Sequence, residues 1–265
     1  MTNTRGPLVA SVFAMLAAAC ARSAAPPAGG APAPEAAAPV VSTAQLVERM
    51  KARYDGRWYR TLTFLQNNTR YKADGGEERS QWKEYQRVPG RLRIEFLPAS
   101  GGGGIIFRND TIHTFSENRK ASSTPQMHPL LLLSADLYAL PVERTLAALD
   151  SLRIDRTSLR QDRWRERPAY VVGAPAGDST RAQLWVDAER MLLVRLITSQ
   201  RAGGRTVNTE YHFTYQDVDG RPVPKEIVFL RAGKPFWRQE YVEVTVDREL
   251  PDALFDPARW TAARG

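Results

Sequence analysis

Cysteine is nearly absent from this chain: Cys20 stands alone among 265 residues, so no disulfide can form within it. Histidine is almost as scarce. His113, His128 and His212 lie far apart, and none has a metal-ligand partner at i+2, i+3 or i+4. Little material is therefore left for a zinc centre or a thiol enzyme, and no Gly-x-Ser-x-Gly elbow or His-Glu-x-x-His helix occurs. Long apolar runs are missing too. The run from Leu8 to Ala19 falls short of the roughly 20 apolar residues that a spanning helix needs. With 43% hydrophobic and 25% charged residues, the composition is that of a soluble folded protein.

Acidic residues are outnumbered, 29 against 37 basic ones, for a formal charge of +8. The excess does not gather into a stripe. Its densest stretch, Arg153, Arg156, Arg160, Arg163, Arg165 and Arg167, is interleaved with Asp155, Asp162 and Glu166. Alternating signs at strand spacing describe a solvated sheet face, and nucleic acid is not an expected partner.

The start of the chain has the three-part layout of an export signal: Arg5, the apolar run from Leu8, and small residues before the cysteine. Leu16-Ala17-Ala18-Ala19-Cys20 resembles a bacterial lipobox, with leucine four rather than three residues before the cysteine. The resemblance implies a lipoprotein signal peptide over 1–20, acylation of Cys20, and export to a lipid-anchored position. By the same resemblance, Ala21 rather than Asp after the cysteine implies the periplasmic face of the outer membrane. Residues 21–42 carry Pro26, Pro27, Pro32, Pro34 and Pro39 among alanines and read as an extended tether. At about 3.1 Å per residue it reaches at most roughly 70 Å.

Residues 43–265 are expected to form one domain. Removing Arg5, Arg22 and Glu35 leaves it at a net +7. Ser42 and Gln45 have capping-box spacing, and Val41 and Leu46 are placed for a hydrophobic staple. Leu46, Val47, Met50 and Tyr54 then share one face of a helix that ends near Asp55-Gly56. Beyond it the pattern is mostly strand. Arg91 to Phe96 alternates, with Leu92, Ile94 and Phe96 on a dry face and Arg91, Arg93 and Glu95 on a wet one. Val207 to Tyr215 does the same, leaving His212 on its polar face, where a solvated histidine is expected. Strand candidates recur about every ten residues between turns such as Asn109-Asp110 and Asp219-Gly220, as in a large antiparallel meander. Pro125 to Leu149, with Leu130, Leu131, Leu132 and Leu133, lacks the strand period and predicts short helices inserted in the middle of the sheet.

Two motifs dissolve on inspection. Asp217-Val218-Asp219-Gly220 begins like a calcium loop, but its twelfth position is Val228 rather than glutamate, so a hairpin turn is expected. Gly101 to Gly104 precedes strand-like Ile105-Ile106-Phe107 and no Lys-Ser or Lys-Thr, which makes it a flexible connection.

The helix at Thr43 to Asp55, the strands beginning at Trp58, the insertion around Met127 to Leu149 and the closing Leu254-Phe255-Asp256-Pro257 together resemble the LolA/LolB-like superfamily, which includes RseB sensor-domain-like proteins. The segment Phe213 to Gly220 followed by Pro222 to Ile227 is similar to that family's last hairpins. The resemblance implies a mainly β domain: a curved, unclosed antiparallel half-barrel covered by the N-terminal helix and a mid-chain helical lid. It implies a membrane-anchored, non-enzymatic carrier or binder that shields lipid or lipoprotein acyl chains, with no cofactor or metal. Trp58, Leu62, Phe64, Leu92, Ile94 and Phe96 would line the cavity, and Leu130 to Leu133 would belong to the lid. The alternative is an envelope sensor or adaptor of the same fold that binds a protein partner. A cavity of several hundred Å3 would mark the first; a filled core with an exposed apolar patch would mark the second.

Overall fold

The computed structural model describes residues 39–263. The expected signal segment, Cys20 and residues 21–38 of the expected tether lie outside the described residues. Helix α1, Thr43–Arg53, starts where the cap spacing places it. Ser42 Oγ accepts the N–H of Gln45 at 3.2 Å, and Gln45 Oε1 accepts the N–H of Val41 at 3.0 Å. Leu46, Val47 and Met50 are buried. The staple is one residue off: Val41 is 71% exposed, and Val40 instead joins Leu46 in the core.

Six strands follow: β1 (Thr61–Tyr71), β2 (Glu77–Arg87), β3 (Arg91–Phe96), β4 (Gly104–Arg108), β5 (Thr111–Ser116) and β6 (Arg119–Pro125). Next come α2 (Pro129–Ser134), a 3-10 turn at Asp136–Tyr138 and α3 (Val142–Ser151). Seven more strands complete the sheet: β7 (Leu159–Trp164), β8 (Arg167–Val172), β9 (Gln183–Asp187), β10 (Leu193–Ala202), β11 (Arg205–Val218), β12 (Arg221–Arg231) and β13 (Lys234–Val246). Asn109-Asp110 and Asp219-Gly220 turn their hairpins with both residues at positive φ, the conformation that two-residue loops require. The second of these is the Asp217 segment, a turn as expected.

All thirteen strands form one open, curved antiparallel sheet in the order β6-β5-β4-β3-β2-β1-β13-β12-β11-β10-β9-β8-β7. Two meanders therefore meet at the β1–β13 pair, and the sheet edges are β6 and β7. The chain between those edges is the helical insertion. To leave one edge and begin the other it must cross a face of the sheet, so α2 and α3 cover that face by connectivity as much as by hydrophobicity. β6 carried no hydrophobic signal in the sequence, because every residue from Arg119 to Pro125 is exposed. Such a charged, Ser/Thr-rich strand is suited to an edge.

The main core lies under α1 and α3, where Leu46, Met50 and Leu149 pack with Val172, Leu184 and Leu196 of the sheet. The opposite face is not bare. Residues 250–260 run across it and bury Arg93 to 1% and Glu95 to 8% exposure, which corrects the expectation that this side of β3 is wet. Arg93 donates to Glu95 Oε1 at 2.7 Å and to the carbonyls of Leu254 and Trp260, and its guanidinium lies 4.1 Å from the Trp260 ring centroid. Gly101 to Gly104 is correspondingly not a loose connection. A Cβ on Gly104 would fall 2.2 Å from the Ile94 carbonyl oxygen and 2.4 Å from Trp260, so only glycine fits beneath that ring.

Candidate functional site

The sheet face beneath α2 holds a cavity of about 270 Å3. Register explains its walls. Phe64 pairs with Glu84, which pairs with Ile94, which pairs with Ile105; Gln86, Leu92 and Phe107 form the next row. Since directly opposed residues share a face, these rows point together toward α2. Phe229 of β12 and Tyr241 of β13 close one flank, with the Tyr241 ring stacked on Phe64 at 4.0 Å. Leu130 and Leu131 of α2 form the cover.

α2 is set by its own first turn. His128 caps it, its Nδ1 accepting the Leu131 N–H at 2.9 Å, and Pro129 occupies the first helical position. That bond leaves the proton of the neutral ring on Nε2, and burial holds the His128 pKa down at about 4. The imidazole meets Phe107 edge-on at 4.6 Å. Leu131 packs on Leu92, Ile94 and Phe107, while Leu133 turns into the main core, so this short helix straddles both clusters.

Of the six residues predicted to line a cavity, Phe64, Leu92 and Ile94 stand in its wall. Trp58, Leu62 and Phe96 do not. Trp58 stacks on Tyr138 at 3.8 Å and on Tyr59 at 4.8 Å. Leu62 is on the same sheet face but is filled in by Tyr59, Ala135 and Val246. Phe96, at the end of β3, lies against Trp82 at 5.1 Å. Within the lid, Leu130 and Leu131 face the cavity, whereas Leu132 and Leu133 pack into the main core.

Sequence reasoning missed the polar half of the wall. Glu84 is only 4% exposed, lines the cavity, and finds neither a hydrogen-bond partner nor a counter-ion among the described residues. Burial pushes its pKa up to about 8, so the carboxyl is mostly protonated at neutral pH. Gln86, 6% exposed, leaves its Nε2 donor unpartnered. No lysine or arginine lines the cavity. The available signal was the strand period itself, which puts Glu84 and Gln86 on the face of Trp82.

Elsewhere, His212 is not a solvated residue. Its Nε2 meets Glu210 Oε1 at 2.5 Å, and Arg195 donates to the same oxygen at 2.6 Å. Although burial pulls the other way, the bonds from His212 and Arg195 hold Glu210 down at about 2. Trp164 lies edge-on to His212 at 4.8 Å. The described residues contain no group of three or more His, Cys, Asp or Glu placed to hold a metal ion, and no helix long and apolar enough to cross a membrane.

No protein-family model matches the chain, and no curated protein does. Solved structures do. A LolA superfamily protein from Nitrosomonas europaea superposes with a TM-score of 0.54 at 15% identity, over 83% of this chain and 99% of the other. A domain named for outer membrane lipoprotein sorting from Vibrio parahaemolyticus gives 0.57 at 12% identity, over 82% and 97%. A DUF1329 family protein from Desulfovibrio piger gives 0.55 at 14% identity, over 81% and 96%. Fold and site thus define the class: an open, curved LolA-like sheet with a helix-covered, largely apolar cavity. At these identities the likeness is one of fold.

Proposed function

We propose that the domain is a non-enzymatic carrier or binding protein that shelters an apolar ligand beneath α2. In this reading it is exported, and it is tethered to the periplasmic face of the outer membrane through acylated Cys20. The observation that carries the reading is the cavity itself, about 270 Å3 walled by Phe64, Leu92, Ile94, Phe107 and Leu131. At about 30 Å3 per water-sized group, it holds roughly nine such groups, enough for one alkyl segment. Each methylene moved there from water contributes about 0.8 kcal/mol. The partner-binding alternative called for a filled core and an exposed apolar patch. Among the described residues the only exposed large hydrophobics are Val41 and Val242.

Native mass spectrometry of protein extracted from the membranes of its own organism tests the proposal. The expected spectrum shows an acyl mass on Cys20 and a retained lipid. Ile112→Trp, at a partly exposed position of the wall, is expected to fold and to lose the retained lipid. A soluble mature protein that begins elsewhere than Cys20 removes the anchor from the proposal. Equal lipid retention by Ile112→Trp removes the cavity.

A further inference from the structure

We propose that Glu84 and Gln86 form a hydrogen-bonding clamp inside the cavity that selects an amphiphile whose buried head is an uncharged oxygen acceptor, of the ester or amide carbonyl class. The inference rests on the carrier reading and adds to it the chemistry of the ligand's head.

The two side chains are neighbours at i and i+2 on β2, so both point to the cavity side of the sheet. Each is more than nine-tenths buried; among the described residues, Gln86 Nε2 is fully enclosed without a partner, and the Glu84 carboxyl, which lines the cavity, makes no hydrogen bond or ion pair. A buried polar group left unpaired weakens the fold, because its desolvation is not offset by a new bond. A fold that needed only an apolar lining would be more stable with leucine at both places. What Gln86 Nε2 lacks is an acceptor: it can only donate, and the protonated Glu84 carboxyl, besides its own carbonyl acceptor, presents an O–H donor beside it. A carbonyl oxygen, with two lone pairs, can receive both.

Charge sorts the alternatives. An anionic head would enter an apolar space that no lysine or arginine lines. An ammonium head would find Glu84 but would leave the Gln86 donor facing another donor. The titratable groups lining the cavity are Glu84, His128 and Tyr241. His128 is held neutral, and burial raises the Tyr241 phenol well above its ordinary value, so neither supplies a charge at neutral pH. A neutral acceptor is the head that satisfies both orphan groups without burying a charge.

The full-length protein, stripped of lipid, is titrated at pH 7 with methyl dodecanoate, n-dodecane, sodium dodecanoate and dodecylammonium chloride, with complexes counted by native mass spectrometry. The ester is expected to bind about tenfold more tightly than the hydrocarbon, the fold-change of one satisfied buried group. Glu84→Leu and Gln86→Leu, with far-UV circular dichroism confirming the fold, are expected to bring that ratio toward one by weakening the ester and strengthening the hydrocarbon. Glu84→Gln keeps a donor in the same place and is expected to preserve the preference. Equal binding of ester and hydrocarbon to the wild type, or a ratio unchanged in both leucine variants, overturns the clamp and leaves the carrier reading standing. Tightest binding of the ammonium probe overturns the clamp in favour of a cation site at Glu84. Failure of every probe to bind overturns the carrier reading and the clamp together.

Discussion

A glutamate under an apolar lid gives the protein a pH dependence whose sign follows from its proton. The folded state holds the Glu84 proton up to about pH 8 against an ordinary value of 4.5, so stability falls as pH rises between those values. Asp136, raised to about 7 by burial, acts in the same direction between 3.8 and 7. His128, lowered to about 4, opposes them by losing stability as pH falls below 6.5. Of these three groups, Glu84 contributes most of the change between pH 7 and 8, with the upper end of the Asp136 titration beside it. Urea unfolding at pH 7 and pH 8 is expected to show a loss of up to about 1.4 kcal/mol in the wild type, the limit for one proton per pH unit. The loss should be clearly smaller in Glu84→Gln, where only the upper end of the Asp136 titration remains, and parallel losses in both proteins would sink the assignment. In the sequence Glu84 looked like any charged residue on a half-wet strand, because alternation reports which residues share a face and says nothing of what will cover it.

At the scale of elements, the segment after β13 does for one face what α2 does for the other. Trp260 lies over Gly104, stacks on Phe115 at 4.3 Å with an interplanar angle of 9°, and donates Nε1–H to the Gly102 carbonyl at 3.3 Å. Removing that ring uncovers Arg93 as well as apolar surface. Trp260→Ala is expected to cost about 3–5 kcal/mol in chemical denaturation, as large aromatic truncations in cores do. Gly104→Ala should also destabilise, because its Cβ meets the backbone of β3. If both variants unfold at the wild-type midpoint, the C-terminal segment is not the cover described. None of this was visible locally: Arg93 and Leu254 are 161 residues apart. The helical elements were more legible, since Ser42 and Gln45 marked the start of α1, and the aperiodic leucines marked α2. Which of those leucines face the cavity was decided by packing on two clusters at once.

For the molecule as a whole, the decisive pairing is the one between its first and last strands. β1 and β13 join the two meanders through an antiparallel register running from Leu62 opposite Val246 to Arg70 opposite Trp237. α1 and α3 meanwhile pack on strands of the second meander, and α2 bridges the two, with Leu131 on the first and Leu133 in the core over the second. Neither half keeps its cover without the other. Equilibrium unfolding followed by tryptophan fluorescence and by far-UV circular dichroism is therefore expected to give one coincident transition. Two separated transitions would show that the meanders are independent units.

The scarcity of cysteine and histidine, the alternation of the strands and the break in rhythm at Pro125 to Leu149 determined, by sequence alone, a mainly β domain with an inserted helical segment and little material for metal or thiol chemistry. These features are local in composition or period, so a linear reading captures them. Tertiary structure decided the rest. The edge-to-edge path of the insertion left a cavity beneath α2, the C-terminal segment dried a face that the pattern marked as wet, and the Glu84 carboxyl and Gln86 Nε2 were left in the cavity wall without partners among the described residues. Each of these depends on contacts between segments far apart in the chain, and the physical cost of a buried polar group appears only once its neighbours are in place.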